Sequence, residues 1–252
     1  MVTSFLFFPE KSFYALPKDH GLTEEEVFFT TRDGVKLHGW FFESRGSKAT
    51  LLFFHGNAWN ISGRIFKAKG WVERSISVFL IDYRGYGKSE GSIKAGKDLL
   101  EDARGALKWL EEKKGMSSEK IILYGESIGS YPAIALAEEK KFAGLILEAP
   151  FTNVLELARK HYSWVPDLLL KDFLMKNEAA IPKVKAPVFI LHGDQDEICP
   201  VEFGERLYEL APSPKEFYVV QGGHHNDLPE VARDHYFEYP YQFLSSENGL
   251  DR

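Results

Sequence analysis

Short apolar runs separated by helical spacing constrain this chain more than any other feature. Runs at 50–55, 77–82, 120–124, 144–149, 187–191 and 216–220 are rich in β-branched and aromatic residues. A strand solvated on one face would alternate apolar and polar residues, so their continuous apolar character predicts strands covered on both faces, as in a parallel sheet. Between them, Leu99, Leu100, Ala103, Ala106, Leu107 and Leu110 recur near 3.6-residue spacing, which predicts a helix over 97–114 stopped by Gly115. Further helices are predicted over 128–140 and, after Pro200, over 201–210. Two earlier runs, 26–30 and 35–43, flank Thr31-Arg32-Asp33-Gly34, whose Asp-Gly step favours a tight antiparallel turn. The alternation points to a three-layer α/β domain with right-handed crossovers.

One interval breaks the rhythm. Residues 151–185 exceed what a simple crossover needs and concentrate Trp164, Leu168, Leu169, Leu170, Phe173 and Leu174. They read as a small helical cap insertion over the strand ends, interrupted at Pro166, within a single domain spanning 1–252.

Gly125-Glu126-Ser127-Ile128-Gly129 follows one apolar run and precedes a helical pattern. Small residues two before and two after a serine let the backbone turn sharply from strand to helix, so that the hydroxyl projects above the sheet. A serine hydroxyl is a weak nucleophile until a base takes its proton, and the base needs an orienting carboxylate. Candidates follow two later runs: His192-Gly193-Asp194-Gln195-Asp196 and Gly222-Gly223-His224-His225-Asn226-Asp227. Loops after the strands of an open α/β sheet converge on one crevice. The order is serine, then acid, then histidine, although spacing does not choose between Asp194 and Asp196 or between His224 and His225. His55-Gly56-Asn57-Ala58 also follows a run, and is positioned to offer one backbone N–H to an oxyanion, the second coming from Ile128.

At these residues, together with Asp82-Tyr83-Arg84-Gly85-Tyr86-Gly87-Lys88-Ser89, the chain resembles the BEM46-like branch of the α/β-hydrolase superfamily along nearly its whole length. The resemblance implies an α/β-hydrolase fold with an eight-stranded, mostly parallel sheet and a triad of Ser127, Asp196 and His225. It implies an oxyanion hole from Asn57 and Ile128, hydrolysis through an acyl-enzyme, and no cofactor. The expected activity is that of a carboxylesterase-type serine hydrolase on small to medium acyl esters. Some relatives in this branch remove fatty acyl groups from proteins as thioesterases, and a serine peptidase would use the same triad. Trp59, Phe151 and Trp164 are the expected substrate-binding residues, because they are apolar and lie in or beside strand-end loops.

Composition removes other classes. With 31 Lys+Arg against 37 Asp+Glu the net charge is −6, so a generally basic nucleic-acid binder is excluded and no nucleic-acid partner is expected. A hydrophobic content of 44% excludes a wholly disordered chain. Cys199, the only cysteine, forms no internal disulfide or cysteine-rich zinc site and reads as a packing residue. His224-His225 lacks the spacing of a metal site, so none is expected. Gly87-Lys88-Ser89 lacks the earlier glycine of a phosphate-binding loop, since Asp82 occupies that position. Asp82 and Arg84 read as structural pairing or capping groups, and His20, His38, His161 and His235 as surface or partly buried histidines. The apolar stretch ending Phe5-Leu6-Phe7-Phe8 is cut short by Pro9, Glu10 and Lys11, too soon for a membrane span. It reads as an arm packed on the body. The expected location is cytoplasmic, with membrane association only through this arm as the remnant of a longer anchor.

Overall fold

The computed structural model describes residues 6–161 and 164–248. The first part of the expected arm, residues 2–5, lies outside them. An eight-stranded sheet forms the middle layer, in the order β10-β9-β8-β7-β4-β6-β3-β2. Its strands are β2 (Glu25–Thr30), β3 (Lys36–Phe42), β4 (Thr50–Phe54), β6 (Ser77–Asp82), β7 (Ile121–Glu126), β8 (Gly144–Glu148), β9 (Val188–Gly193) and β10 (Lys215–Val220). Strands β4 and β6 to β10 pair in parallel, whereas β3 runs antiparallel to β6 and β2 antiparallel to β3. Two very short strands, β1 (Phe8–Pro9) and β5 (Ala58–Trp59), pair in parallel apart from this sheet.

Successive side chains of a strand point to opposite faces, and in the central strands both faces are dry, whereas β10, expected to be covered on both faces, is partly exposed along most of its length because it is an edge strand. Leu52, Phe54, Phe79, Ile81 and Leu123 join one apolar cluster; Leu51, Phe53, Val78, Leu80, Ile122 and Tyr124 join another. The first is covered by α2 (Gly96–Lys113), α3 (Ser130–Glu139) and α6 (Val201–Leu210). The second is covered by α1 (Ile65–Val72), α7 (Leu228–Ala232) and α8 (His235–Asn248). Burial of each large side chain contributes roughly 1.5–3 kcal/mol against chain entropy, which is why the central runs are apolar throughout.

The 151–185 interval contains α4 (Val154–His161), a 3-10 stretch over Asp167–Phe173 and α5 (Asn177–Ala180). Leu170 and Phe173 are buried in it, but Trp164, Leu168 and Leu169 are exposed. Pro166 stands immediately before the 3-10 stretch. His38 departs from expectation: it is fully buried, because the rings of Phe13, Phe28 and Trp40 pack around it, and its ring nitrogens face Asp82 Oδ2 and Glu26 Oε1 at 3.3 Å each. Among the described residues no helix is long and apolar enough to cross a membrane.

Candidate active site

Strand β7 ends at Glu126, and the chain passes through a 3-10 turn, Ser127–Gly129, straight into α3. Ser127 adopts φ +52°, a left-handed conformation that costs a non-glycine residue about 1–3 kcal/mol. The flanking glycines make that turn possible. A Cβ on Gly125 would lie 2.6 Å from Ser130 Cα, and one on Gly129 would run into the Phe54 carbonyl oxygen. The Gly-x-Ser-x-Gly spacing is therefore a steric requirement of the turn.

Strands β9 and β10 are neighbours, and the loops after them bring the acid and base to the serine. His225 Nε2 lies 3.1 Å from Ser127 Oγ, and His225 Nδ1 lies 2.7 Å from Asp196 Oδ2. A carboxylate only accepts, so Nδ1 carries the proton and Nε2 faces the serine hydroxyl as acceptor. Asp196 is held from the other side as well: Oδ1 accepts from the amides of Ile198 at 2.9 Å and Cys199 at 2.7 Å, and His192 Nε2 lies 3.2 Å from Oδ2. Burial raises the Asp196 carboxyl's pKa, but hydrogen bonds from His192 and His225 outweigh it and hold the group well below the usual carboxylate range. The neighbouring candidates face elsewhere. Asp194 Oδ1 accepts from the Gly222 amide at 2.6 Å, and exposed His224 pairs with Glu197 at 3.1 Å.

Parallel pairing of β4 with β7 sets Phe54 beside Gly125, so the loop carrying Asn57 and the turn carrying Ile128 leave adjacent strand ends. Several side chains brace that loop. Tyr86 donates to the Asn57 carbonyl at 2.7 Å and Tyr83 to the His55 carbonyl at 3.0 Å. His55 is fully buried with Nδ1 2.7 Å from the Gly56 carbonyl, so Nδ1 bears the proton; burial and the Arg64 charge push its pKa down to about 4.

Beneath the serine lies a group of buried charges that sequence reading missed. Arg64 Nη2 meets Glu126 Oε1 at 2.5 Å, and Lys67 Nζ lies 2.8 Å from Glu126 Oε2 and 2.9 Å from Glu148 Oε2. Tyr124 and Tyr236 both donate to Glu148 Oε2. The pair reaches the loop that carries Asn57 through two bonds: the Gly56 amide to Glu126 Oε1 at 3.3 Å and Arg64 Nη1 to the Ala58 carbonyl at 3.0 Å. Burial by itself would push the Glu126 carboxyl up, but Arg64 and Lys67 hold it well below the usual range. Around the corner, Arg84 pairs with Asp102 at 2.7 Å and Asp33 at 2.7 Å, and Asp82 Oδ1 accepts from the Ile61 amide, so both act structurally. Ser89 Oγ donates to the Asp82 carbonyl, which ties the 83–89 loop to its own strand. Among the described residues no group of three or more His, Cys, Asp or Glu is arranged to hold a metal ion. Cys199 is buried, and that burial raises its thiol pKa well above the usual value.

Ser127 and His225 open into a cavity of about 470 Å³. Of the three expected substrate-binding residues, Trp59 and Phe151 line it and Trp164 does not: it lies beyond the end of α4 on an outer turn and is 69% exposed. Val154, Leu157 and Ala158 supply that wall instead, and His161 reaches it from the last turn of the same helix. Their spacing of three, four and seven residues was a legible helical signal. Leu6, Phe8, Ala58, Ile128 and Ile198 complete the apolar lining.

A family model described as serine aminopeptidase, S33, matches residues 45–180. An uncharacterised protein of Mycobacterium tuberculosis is 37% identical over 211 residues, covering 82% of this chain and 73% of its own length. Protein bem46 of Schizosaccharomyces pombe is 34% identical over 246 residues, covering 93% of this chain and 81% of its own. Among solved structures, the esterase Pf2001 of Pyrococcus furiosus aligns with a TM-score of 0.79 at 23% identity, covering 95% of this chain and 98% of that one, a likeness of fold.

Proposed function

The chain belongs to the serine aminopeptidase S33 family and is a BEM46-like α/β-hydrolase, and on that premise we propose that it cleaves carboxylic esters through an acyl-enzyme. The observation that carries the proposal is the continuous chain Ser127 Oγ, His225, Asp196, at 3.1 and 2.7 Å, opening on an apolar cavity.

In this reading Ser127 attacks the acyl carbonyl while His225 Nε2 takes its proton, and Asp196 stabilises the imidazolium so formed. The amides of Asn57 and Ile128 receive the oxyanion; one such donor is worth about 10²–10³ in rate. His225 then protonates the leaving alcohol, activates water, and the acyl group departs as the acid. No step calls for a cofactor. The substrate is a small-molecule ester, with Trp59 and Phe151 among the groups around its acyl part.

The family description raises amide cleavage as a second reading. An aminopeptidase needs an acid in its cavity to hold the substrate's ammonium group. Glu126 is the one acid among the cavity's described lining residues, and Arg64 and Lys67 already engage it. Esters are therefore favoured over amino-terminal peptides. A fluorophosphonate probe on wild type and on Ser127→Ala, followed by kcat/KM on matched esters, thioesters and amides, tests the assignment. Labelling confined to wild type and ester turnover falling about 10⁴-fold or more in the variant are expected. Undiminished turnover by a folded Ser127→Ala protein would refute the assignment, and amide rates equal to ester rates would turn it towards a peptidase.

A further inference from the structure

The amino-terminal arm sits on the loop that carries Asn57. Phe8–Pro9 pairs in parallel with Ala58–Trp59; the Phe8 amide donates to the Asn57 carbonyl at 2.9 Å and the Glu10 amide to the Trp59 carbonyl at 3.3 Å. Asn60 Nδ2 donates to the carbonyls of Glu10 and Ser12 at 3.0 and 2.7 Å, and the Gly87 amide donates to Glu10. The arm is thus held along its backbone.

Phe7 goes inward, 6% exposed, with its ring 5.9 Å from Phe173. Leu6 and Phe8, on either side of it, both line the cavity that holds Ser127 and His225. Trp59, Ile128, Phe151, Val154, Leu157 and Ile198 add further apolar lining; the polar lining beside Ser127 and His225 is Asn57, Asn226, His161, whose Nε2 lies 2.7 Å from the Ile198 carbonyl, and the paired Arg64 and Glu126. Such a wall offers contact area to hydrocarbon and no unpaired charge to an ionised group.

Resting on the esterase reading above, we propose that Leu6 and Phe8 determine specificity, forming the part of the acyl pocket that selects uncharged esters with an extended apolar acyl chain. Chains too short to leave the neighbourhood of Ser127 do not reach them.

The test is kcat/KM on p-nitrophenyl acetate, butyrate, octanoate and hemisuccinate for wild type, Leu6→Ala and Phe8→Ala. Both substitutions leave the arm's backbone bonds in place; Phe8 is 48% exposed, so its truncation retains the fold, whereas Leu6 is 8% exposed and its variant is read as the ratio of octanoate to acetate turnover in the folded protein. Losing an aromatic contact surface predicts a fall of about 5- to 10-fold on octanoate for Phe8→Ala, with acetate within about twofold. Hemisuccinate is expected well below butyrate in wild type. Equal losses on acetate and octanoate, no change at any length, or hemisuccinate turned over as fast as butyrate would overturn the inference. Wild type that hydrolyses no ester would remove the esterase reading itself, an outcome read without the variants.

Discussion

Replacing Glu126 with glutamine keeps the side chain's size and removes one charge from a group that is balanced in the folded protein. Arg64, Lys67, Glu126 and Glu148 carry two positive and two negative charges with side-chain exposures of 8, 8, 14 and 3%. The variant leaves a net positive charge buried there, and beside its bond to the Ala58 carbonyl Arg64 meets a neutral amide in place of a carboxylate. Breaking one partner of a buried ion pair costs about 3–5 kcal/mol. At about 2–4 °C per kcal/mol for a protein of this size, the midpoint of thermal unfolding should fall by about 6–20 °C. Urea unfolding at pH 7 measures the loss directly, and the double variant Arg64→Met/Glu126→Gln provides the control. Removing both charges restores neutrality, so the double variant should be less destabilised than the sum of the single variants by more than about 1 kcal/mol. Acid provides a second check. The folded carboxyl has a lowered pKa, so its stabilisation is full above the ordinary value of 4.5 and is lost as pH falls through the folded value; the gap between wild type and Glu126→Gln should close on acidification. Ester kcat should also drop about tenfold, since the Gly56 amide loses a charged acceptor and the Asn57 loop a brace. A stability loss under about 1 kcal/mol, or strict additivity in the double variant, would refute the reasoning.

Two further outcomes are expected. His225→Ala should lower ester kcat by about 10⁴ or more while His224→Ala stays within about threefold, because only His225 reaches Ser127; steady-state kinetics on one ester compares them. Asp196→Asn should reduce kcat about 10⁴-fold with the fold intact, and its stability deficit, measured by urea unfolding across pH, should shrink below about pH 4, since a depressed carboxyl stabilises only while ionised.

The sheet was legible because strands buried on both faces must be apolar at every position, a pattern no solvated element shares. The turn at Ser127 was legible for a steric reason, given its two glycines. What escaped was of two kinds. Helix α8 buries Tyr236, Pro240, Phe243 and Leu244 at helical spacing, but Pro240 within it reads locally as a break. Long-range pairing leaves no local trace at all: Arg64 meets Glu126 across 62 positions and Lys67 meets Glu148 across 81. Trp164 shows the limit of composition, since apolarity by itself does not say which way a turn faces, whereas the phase of Val154, Leu157 and Ala158 does.

Because the central strands run in parallel, the loops at their two ends carry separate burdens. Those after the strands hold Asn57, Ser127, Asp196 and His225. Those before them, around 44–48 and 114–118, only return the chain. Gly46 and Gly115 sit in these returns with left-handed backbones and open space beside them. The proposed chemistry and the connectivity can therefore diverge independently: lengthening a return, or splicing a tag into it, alters the protein's outline while these four residues keep their positions.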